Sequence, residues 1–365
     1  MRDPKRSRRR ARRAARLALV AGVAAGVVAC GPAALRVMRA GAERAMRADP
    51  IAELPDGLHV LLCGAGGPLP DAERSGPCVA VVAGGSLFVV DAGSGGARNL
   101  QSPDVNWSPG RIRALFLTHY HSDHIDGLGE LGMLRWVGGN HTEPLPVYGP
   151  AGLEDVVSGF HRAYHLDVRY RTAHHGPEVV PESGAGFASH VIALPPPGVP
   201  ATIFEEDDIR ISAFRVEHEP VSPAVGYRFD YAGRSLVVSG DTKKSDSLLA
   251  SARGVDLLVH EALSPVLVGV MHEAAVAAGN PGLAKITADI PDYHTSPLEA
   301  AELAEAAGAG HLLFYHVVPP LPLPGLASVF LDGVSSAYSG EVTLGRDGTR
   351  ISLPAGSRDV VVVTE

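Results

Sequence analysis

Apolar and polar residues alternate along this chain with periods that change from stretch to stretch, and each change marks an element. Leu58–Cys63 is an apolar run stopped by Gly64-Ala65-Gly66-Gly67-Pro68, which predicts a strand. Cys78–Ala83 and Ser86–Asp91 predict a hairpin across Gly84-Gly85. Arg113–Leu117 predicts another strand, leading into a histidine-rich turn. Asp126–Trp136 and Leu153–His165 have helical spacing, with a short strand at Pro146–Gly149 between them. Residues 170–205 are less regular and rich in proline. Strands follow at Ile209–Val216, Ala224–Tyr231 and Ser235–Ser239, the last two joined by Ala232-Gly233, and Asp256–His260 reads as a further buried strand. Pro297–Ala307 is a helix ended by Gly308, beside a strand at His311–Tyr315. Glu341–Leu344 and Thr349–Leu353 flank Asp347-Gly348 and predict a hairpin. Strands interspersed with helices predict an α/β protein of two mixed sheets covered by helices on the outside. Residues 51–365 show neither a repeat nor an internal linker and are read as one domain.

Composition changes this picture mainly at the N-terminus. The chain has 365 residues, 45% hydrophobic, with 42 Gly and 29 Pro, enough for a buried core and many tight turns. Its formal charge of -8 hides an asymmetry. Residues 1–16 hold nine Lys or Arg and one Asp, so the rest carries 23 basic against 39 acidic residues, or -16. A body that acidic argues against a nucleic-acid partner. After the basic segment comes the apolar run Leu17–Ala29, the form of an export signal. Val27-Val28-Ala29-Cys30 is similar to a bacterial lipobox, in which Cys30 is lipidated. An uncleaved anchor over Leu17–Leu35 is the rival reading, and a basic cytosolic tail a third. The first two place the body outside the cytoplasmic membrane, attached to its outer face or periplasmic. Residues 1–35 are therefore read as a signal or anchor and 36–50 as a helical spacer, with Arg36, Arg39, Arg44 and Arg47 among alanines. Three cysteines exclude a disulfide scaffold and a four-cysteine zinc module. Cys63 and Cys78 are read as adjacent buried thiols rather than as a bonded pair.

The chemistry concentrates after the Arg113–Leu117 strand. Thr118-His119-Tyr120-His121-Ser122-Asp123-His124 places three imidazoles and a carboxylate within six residues, the ligand types a borderline metal ion takes. Three further candidates end apolar runs: His218, Asp241 in Ser239-Gly240-Asp241-Thr242, and His316. Singly, each also reads as a hydrogen-bonded loop residue or a helix cap. Together they make a coherent two-metal set.

With these residues in view, the chain resembles the metallo-β-lactamase superfamily, whose H-x-H-x-D-H motif stands at His119, His121, Asp123 and His124. More narrowly it resembles the ribonuclease Z, zinc phosphodiesterase and arylsulfatase-like branch. Gly64–Pro70 with Arg74-Ser75, Val90-Asp91-Ala92-Gly93, His218 before Gly226-Tyr227, Leu258–Ala262, and His294-Thr295-Ser296-Pro297 followed by His316 carry that likeness. The resemblance implies an αββα four-layer sandwich, the metallo-β-lactamase fold. It implies two Zn2+, with Mn or Fe left open. His119, His121 and His218 would hold one ion, Asp123, His124 and His316 the other, and Asp241 would bridge them, with Asp91 orienting a ligand histidine. It implies a dinuclear hydrolase that uses a bridging hydroxide, with Asp123 accepting the proton and His294 serving the leaving oxygen. No carboxylate partner for His294 is evident, since Glu261 reads equally well as a structural residue.

The expected substrate is a small phosphodiester or related ester. The alternatives are tRNA 3′ processing, arylsulfatase or lactonase activity, and a non-catalytic metal-binding receptor. Ribonuclease Z grips tRNA with a Gly- and Lys-rich arm, whereas residues 150–205 contain Arg162, Arg169 and Arg171 but no lysine. That departure turns the expectation away from nucleic acid. Residues 264–293 read as an insertion that forms a lid, and His161, His165, His174 and His175 as ordinary surface histidines. A membrane attachment through the N-terminus is expected, and a homodimer is left open.

Overall fold

The computed structural model describes residues 33–363. Residues 1–32, most of the expected signal or anchor and including Cys30, lie outside those residues. The chain divides into two compact units at Asp49/Pro50. In the first, residues 33–47 form one helix (α1) with exposed Leu35, Val37, Met38 and Met46. Among the described residues no helix is long and apolar enough to cross a membrane.

The second unit is built on two sheets. β1 (Gly57–Gly64), β2 (Cys78–Ala83), β3 (Ser86–Val90), β4 (Ile112–Phe116), β5 (Leu145–Gly149) and β6 (Phe187–Val191) form most of the first. β7 (Ala201–Glu206), β8 (Ile209–Arg215), β9 (Val225–Tyr231), β10 (Arg234–Val238), β11 (Leu257–Leu263), β12 (His311–Val318) and β13 (Glu341–Leu344) form the second. β14 (Arg350–Pro354) and β15 (Val361–Val363) return to the first. The orders are β15-β14-β1-β2-β3-β4-β5-β6 and β13-β12-β11-β10-β9-β8-β7. The longer helices are α4 (Leu128–Gly139), α5 (Leu153–His175), α7 (Pro265–Ala277), α8 (Pro281–Asp289) and α9 (Pro297–Ala307). Shorter ones are α2 (Gly96–Asn99), α3 (Ser122–Ile125), α6 (Asp246–Ala252), α10 (Leu326–Phe330) and α11 (Val334–Ala337).

Strands apolar on both faces explain the layering. On β1, Leu58, Val60 and Leu62 pack with Phe88, Tyr227, Val259 and Tyr315 in the core between the sheets. The alternate residues Leu61 and Cys63 face outward into a cluster with Leu128, Leu131 and Leu153 of α4 and α5. On β12, Leu313 and Tyr315 point inward while Leu312 and Phe314 pack under α9. A strand buried on both faces has no polar side to show, so helices must cover it. The result is the expected αββα sandwich. α9 also begins as its sequence dictates, with a Ser296–Glu299 capping box and Pro297 in the first turn, and ends at Gly308 with φ 63°.

Three expectations fail. Asp347-Gly348 joins no hairpin: β13 pairs in parallel with β12 in one sheet and β14 with β1 in the other. The turn is a crossover, and the Asp347 carboxylate accepts from the Ala65 and Ser75 N–H groups rather than serving a two-strand turn. Cys63 and Cys78 are bonded, with Cα atoms 5.0 Å apart, because adjacent strand ends bring the two outward side chains together. α5 runs ten residues past His165, and residues 187–191 and 201–206 are edge strands of the two sheets. Their mostly exposed side chains lack the apolar rhythm that would have marked them.

Candidate metal centre

The seven candidate metal ligands stand at or just past the carboxyl ends of strands that run parallel within their sheets: β4 in one, β8, β10 and β12 in the other, with Asp91 just past β3 beside β4. Such a crevice is where open α/β sheets present ligands. His119 and His121 leave the end of β4 in a non-helical turn. The single turn of α3 then carries Asp123 and His124. The two sheets are tied there by the Val225 N–H to the Thr118 carbonyl (3.0 Å) and by Tyr227 Oη–H to the Leu117 carbonyl (2.6 Å). His316 is the extra residue of a bulge in β12, since Glu261 pairs with Tyr315 and Ala262 with Val317. The bulge holds His316 at φ 46° and aims its ring at the centre. Asp91, at the end of β3, is held at φ 59°. Two non-glycine residues in the left-handed region at one site mark strain kept for function. Gly67 leaves room for the His316 ring, since a Cβ there would sit 3.2 Å from its Cε1.

The side chains converge. His119 Nε2 is 3.1 Å from His121 Nδ1, which is 3.4 Å from His218 Nε2. Asp241 Oδ2 is 3.8 Å from His119 Nε2 and 3.9 Å from His218 Nε2. It is also 3.3 Å from His124 Nε2 and 3.4 Å from His316 Nε2. Asp123 Oδ2 lies 3.3 Å from His316 Nε2 and 3.8 Å from His124 Nε2. Metal–nitrogen bonds of about 2.0–2.1 Å set the ligands of a tetrahedral ion roughly 3.4 Å apart. The observed spacings fit that edge. Two groups of donors emerge, His119/His121/His218/Asp241 and Asp123/His124/His316, with Asp241 reaching both. Within the cluster, His124 Nε2 and Asp241 Oδ1 are buried without a hydrogen bond among the described residues.

A second layer sets the tautomers. His124 Nδ1–H donates to Asp91 Oδ2 (2.8 Å), and Thr118 Oγ1–H donates to the same oxygen (2.9 Å). His119 Nδ1–H then donates to Thr118 Oγ1 (3.0 Å), and His218 Nδ1–H to the Tyr293 carbonyl (2.9 Å). Each ring so held turns its other nitrogen, as an acceptor, toward the centre. Burial, with the neighbouring His124, pushes His119 well below the usual imidazole range. Burial alone would lower His124 and His316 as well. The carboxylates outweigh it, so His124 is raised well above its usual value and His316 to about 9. Burial would raise Asp241, but His316 and His124 hold it well below the carboxylate range. These imidazolium charges are ones a divalent cation would replace, so the donor set fits a metal pair.

His294 adds the one carboxylate partner that sequence reasoning could not place. It follows a 3-10 turn at Ile290–Tyr293, and its Nδ1–H donates to Glu261 Oε1 (3.0 Å). That oxygen also accepts from the Thr295 N–H (3.1 Å) and the Thr242 N–H (3.2 Å). Glu261 is fully buried, and His294 is 8% exposed. A donor atom of His294 falls in one group with Asp241 and His316, so the ring borders the centre. The available signal was an acid inside the apolar strand β11, which is too costly to bury without partners. The structure thus brings together all the predicted site residues. His161 and His165 instead line a cavity of about 340 Å³ between α4 and α5, away from the centre.

Residues 87–317 match the family model described as the β-lactamase superfamily domain. The ribonuclease Z of Mycolicibacterium gilvum is 33% identical over 306 residues, covering 82% of this chain and 97% of that protein. The ribonuclease Z of Mycolicibacterium paratuberculosis is 32% identical, covering 82% and 100%. Among solved structures, the short form of human tRNase Z superposes with a TM-score of 0.57 at 22% identity, covering 81% of this chain and 99% of that one. The metallo-β-lactamase fold protein YhfI of Bacillus subtilis gives 0.56 at 22% identity, covering 81% and 100%. These two share the fold. Relatives named for RNA overturn the expectation that nucleic acid is no partner. Net charge misled because it sums the whole surface, whereas a phosphate meets only the cations near it.

Proposed function

Because this chain belongs to the β-lactamase superfamily, as a metal-dependent hydrolase homologous to ribonuclease Z, we propose that it is an endoribonuclease that cuts the 3′ trailer from tRNA precursors. The observation that carries this reading is a complete seven-donor cluster bordered by the Glu261–His294 pair. It stands in a chain a third identical to enzymes named ribonuclease Z.

On this reading His119, His121 and His218 would hold one zinc and Asp123, His124 and His316 a second, with Asp241, whose carboxylate lies near both groups, helping to hold the pair. When bound, the ions supply Lewis-acid polarisation of the phosphoryl oxygens and ready ionisation of water near neutral pH. The protein's own groups do the rest. The Asp123 carboxylate accepts the proton of the attacking water and orients it. His294, its Nδ1–H held by Glu261, delivers a proton from Nε2 to the leaving ribose oxygen. Asp91 and Thr118 keep His124 and His119 in the ligating tautomer.

A buried disulfide and the basic, apolar leader favour a place outside the cytoplasmic membrane. Trailer removal from a nascent precursor takes the cytosolic setting, in which the leader is a basic tail rather than an export signal. Cell fractionation with a free-thiol count separates the two settings. For the activity itself, a tRNA precursor with a 3′ trailer is incubated with zinc-loaded protein, and bis(p-nitrophenyl) phosphate reports the centre independently of RNA binding. The reading expects trailer release that a chelator abolishes. Hydrolysis of the small diester with the precursor left intact would rule out RNA as the substrate.

A further inference from the structure

The α7–α8 insertion, residues 264–293, ends in the 3-10 turn Ile290–Tyr293, which delivers Tyr293 to the mouth of the centre. Its ring centroid lies 5.4 Å from that of His218 at an interplanar angle of 74°, and 5.0 Å from that of His294 at 46°. His218 and His294 are 1% and 8% exposed, while Tyr293 stays half-buried, so its ring covers both and keeps a side to solvent. The backbone carbonyl is committed to His218 Nδ1–H, which fixes the residue's position. The side chain is uncommitted. Among the described residues its hydroxyl has no hydrogen-bond partner, and the ring belongs to none of the apolar clusters, although Ile290 three residues earlier packs with Leu263, Val268 and Val318. Tyr227 and Tyr338 show the contrast: each is buried in an apolar cluster with its hydroxyl donated to a main-chain carbonyl.

A partly exposed aromatic ring beside a phosphodiester-cleaving centre has an evident use. Every nucleobase presents a π-face, and an unpaired base next to the cut can leave its own stack for a protein ring. We propose that Tyr293 is the stacking platform for the unpaired base adjoining the scissile phosphate, and so determines where the cut falls. The proposal rests on the RNA reading above and adds the residue that positions the strand.

The test uses the full-length, zinc-loaded protein as wild type, Tyr293→Phe and Tyr293→Leu. Substrates are a trailer-bearing RNA and the same RNA made abasic in turn on either side of the cut. Wild type and Tyr293→Phe should lose roughly tenfold in kcat/KM, mostly through KM, when the stacked base is missing. Tyr293→Leu should treat intact and abasic RNA alike, with metal content per chain unchanged. If Tyr293→Leu keeps the tenfold preference, if wild type shows none, or if Tyr293→Leu loses its metal, the ring is not a base platform. If wild type leaves RNA intact, the RNA reading fails by itself. Stacking is then read from bis(p-nitrophenyl) against methyl p-nitrophenyl phosphate: loss of the aryl preference in Tyr293→Leu sustains a ring platform, and its persistence overturns it.

Discussion

The turn after β4 and helix α5 are both rich in histidine, yet they differ in everything that matters to a metal. His119 and His124 are fully buried, their outer nitrogens tied through Thr118 and Asp91 and their inner ones turned on Asp241. On α5, His161, His165, His174 and His175 are exposed. His161 Nε2 accepts from the Phe187 N–H, His165 Nδ1 is 3.0 Å from the Arg162 carbonyl, and His174 and His175 merely face each other with ring centroids 6.1 Å apart. The turn is pinned by two sheets and a strained Asp91, whereas α5 buries only Leu153 and Val157. Histidine count is the same kind of signal in both places. Convergence on a carboxylate, with a second layer to choose the tautomer, is what separates them.

Removing the point of convergence should have the largest effect. Asp241→Ala should abolish loading of the ions and lower diester hydrolysis roughly a thousandfold or more; a variant that keeps its metal by elemental analysis would show that Asp241 is not the focus. Next comes the group that borders the centre without being needed to hold it. His294→Ala should cost about a hundredfold in kcat with metal content unchanged, and Glu261→Gln less. Equal metal loss in both would make His294 a ligand instead.

Protonation sharpens the contrast further. His316 is raised to about 9 because Asp241 and Asp123 outweigh burial. Its folded value lies above its unfolded one, so in the metal-free protein its stabilising contribution is fully present below about pH 6.5 and fades as pH rises through about 9. Metal must displace that proton, so apparent affinity in a chelator competition should climb about tenfold per pH unit for each proton released. A pH-independent affinity would deny the coupling. The smallest effect belongs to α5: replacing His174 and His175 together with alanine should leave metal content and small-diester turnover within about twofold.

Much of the centre was legible because polar residues that end apolar strands stand out. His119, His121, Asp123, His124, His218, Asp241 and His316 each interrupt or follow such a run, and Asp91 ends β3. Glu261 was not legible as a partner, since its link to His294 spans 33 positions and depends on the α7–α8 insertion folding away between them. The 347–348 turn misled because local turn chemistry says nothing of which sheet takes the next strand. Nor does strand spacing say that Cys63 and Cys78 point the same way; that follows from the β1–β2 register, where Gly64 pairs with Cys78. The second half of α5 and the edge strands β6 and β7 escaped because exposed residues carry little apolar rhythm.

The most direct measurement is a titration of metal-depleted protein with zinc, following bound metal and cleavage of a trailer-bearing tRNA precursor in the same samples. Cleavage should appear as the chain takes up two equivalents, and Asp241→Ala should take up neither. Cleavage that persists without bound metal, or two bound ions with no hydrolysis of RNA or small diester, would contradict that dependence.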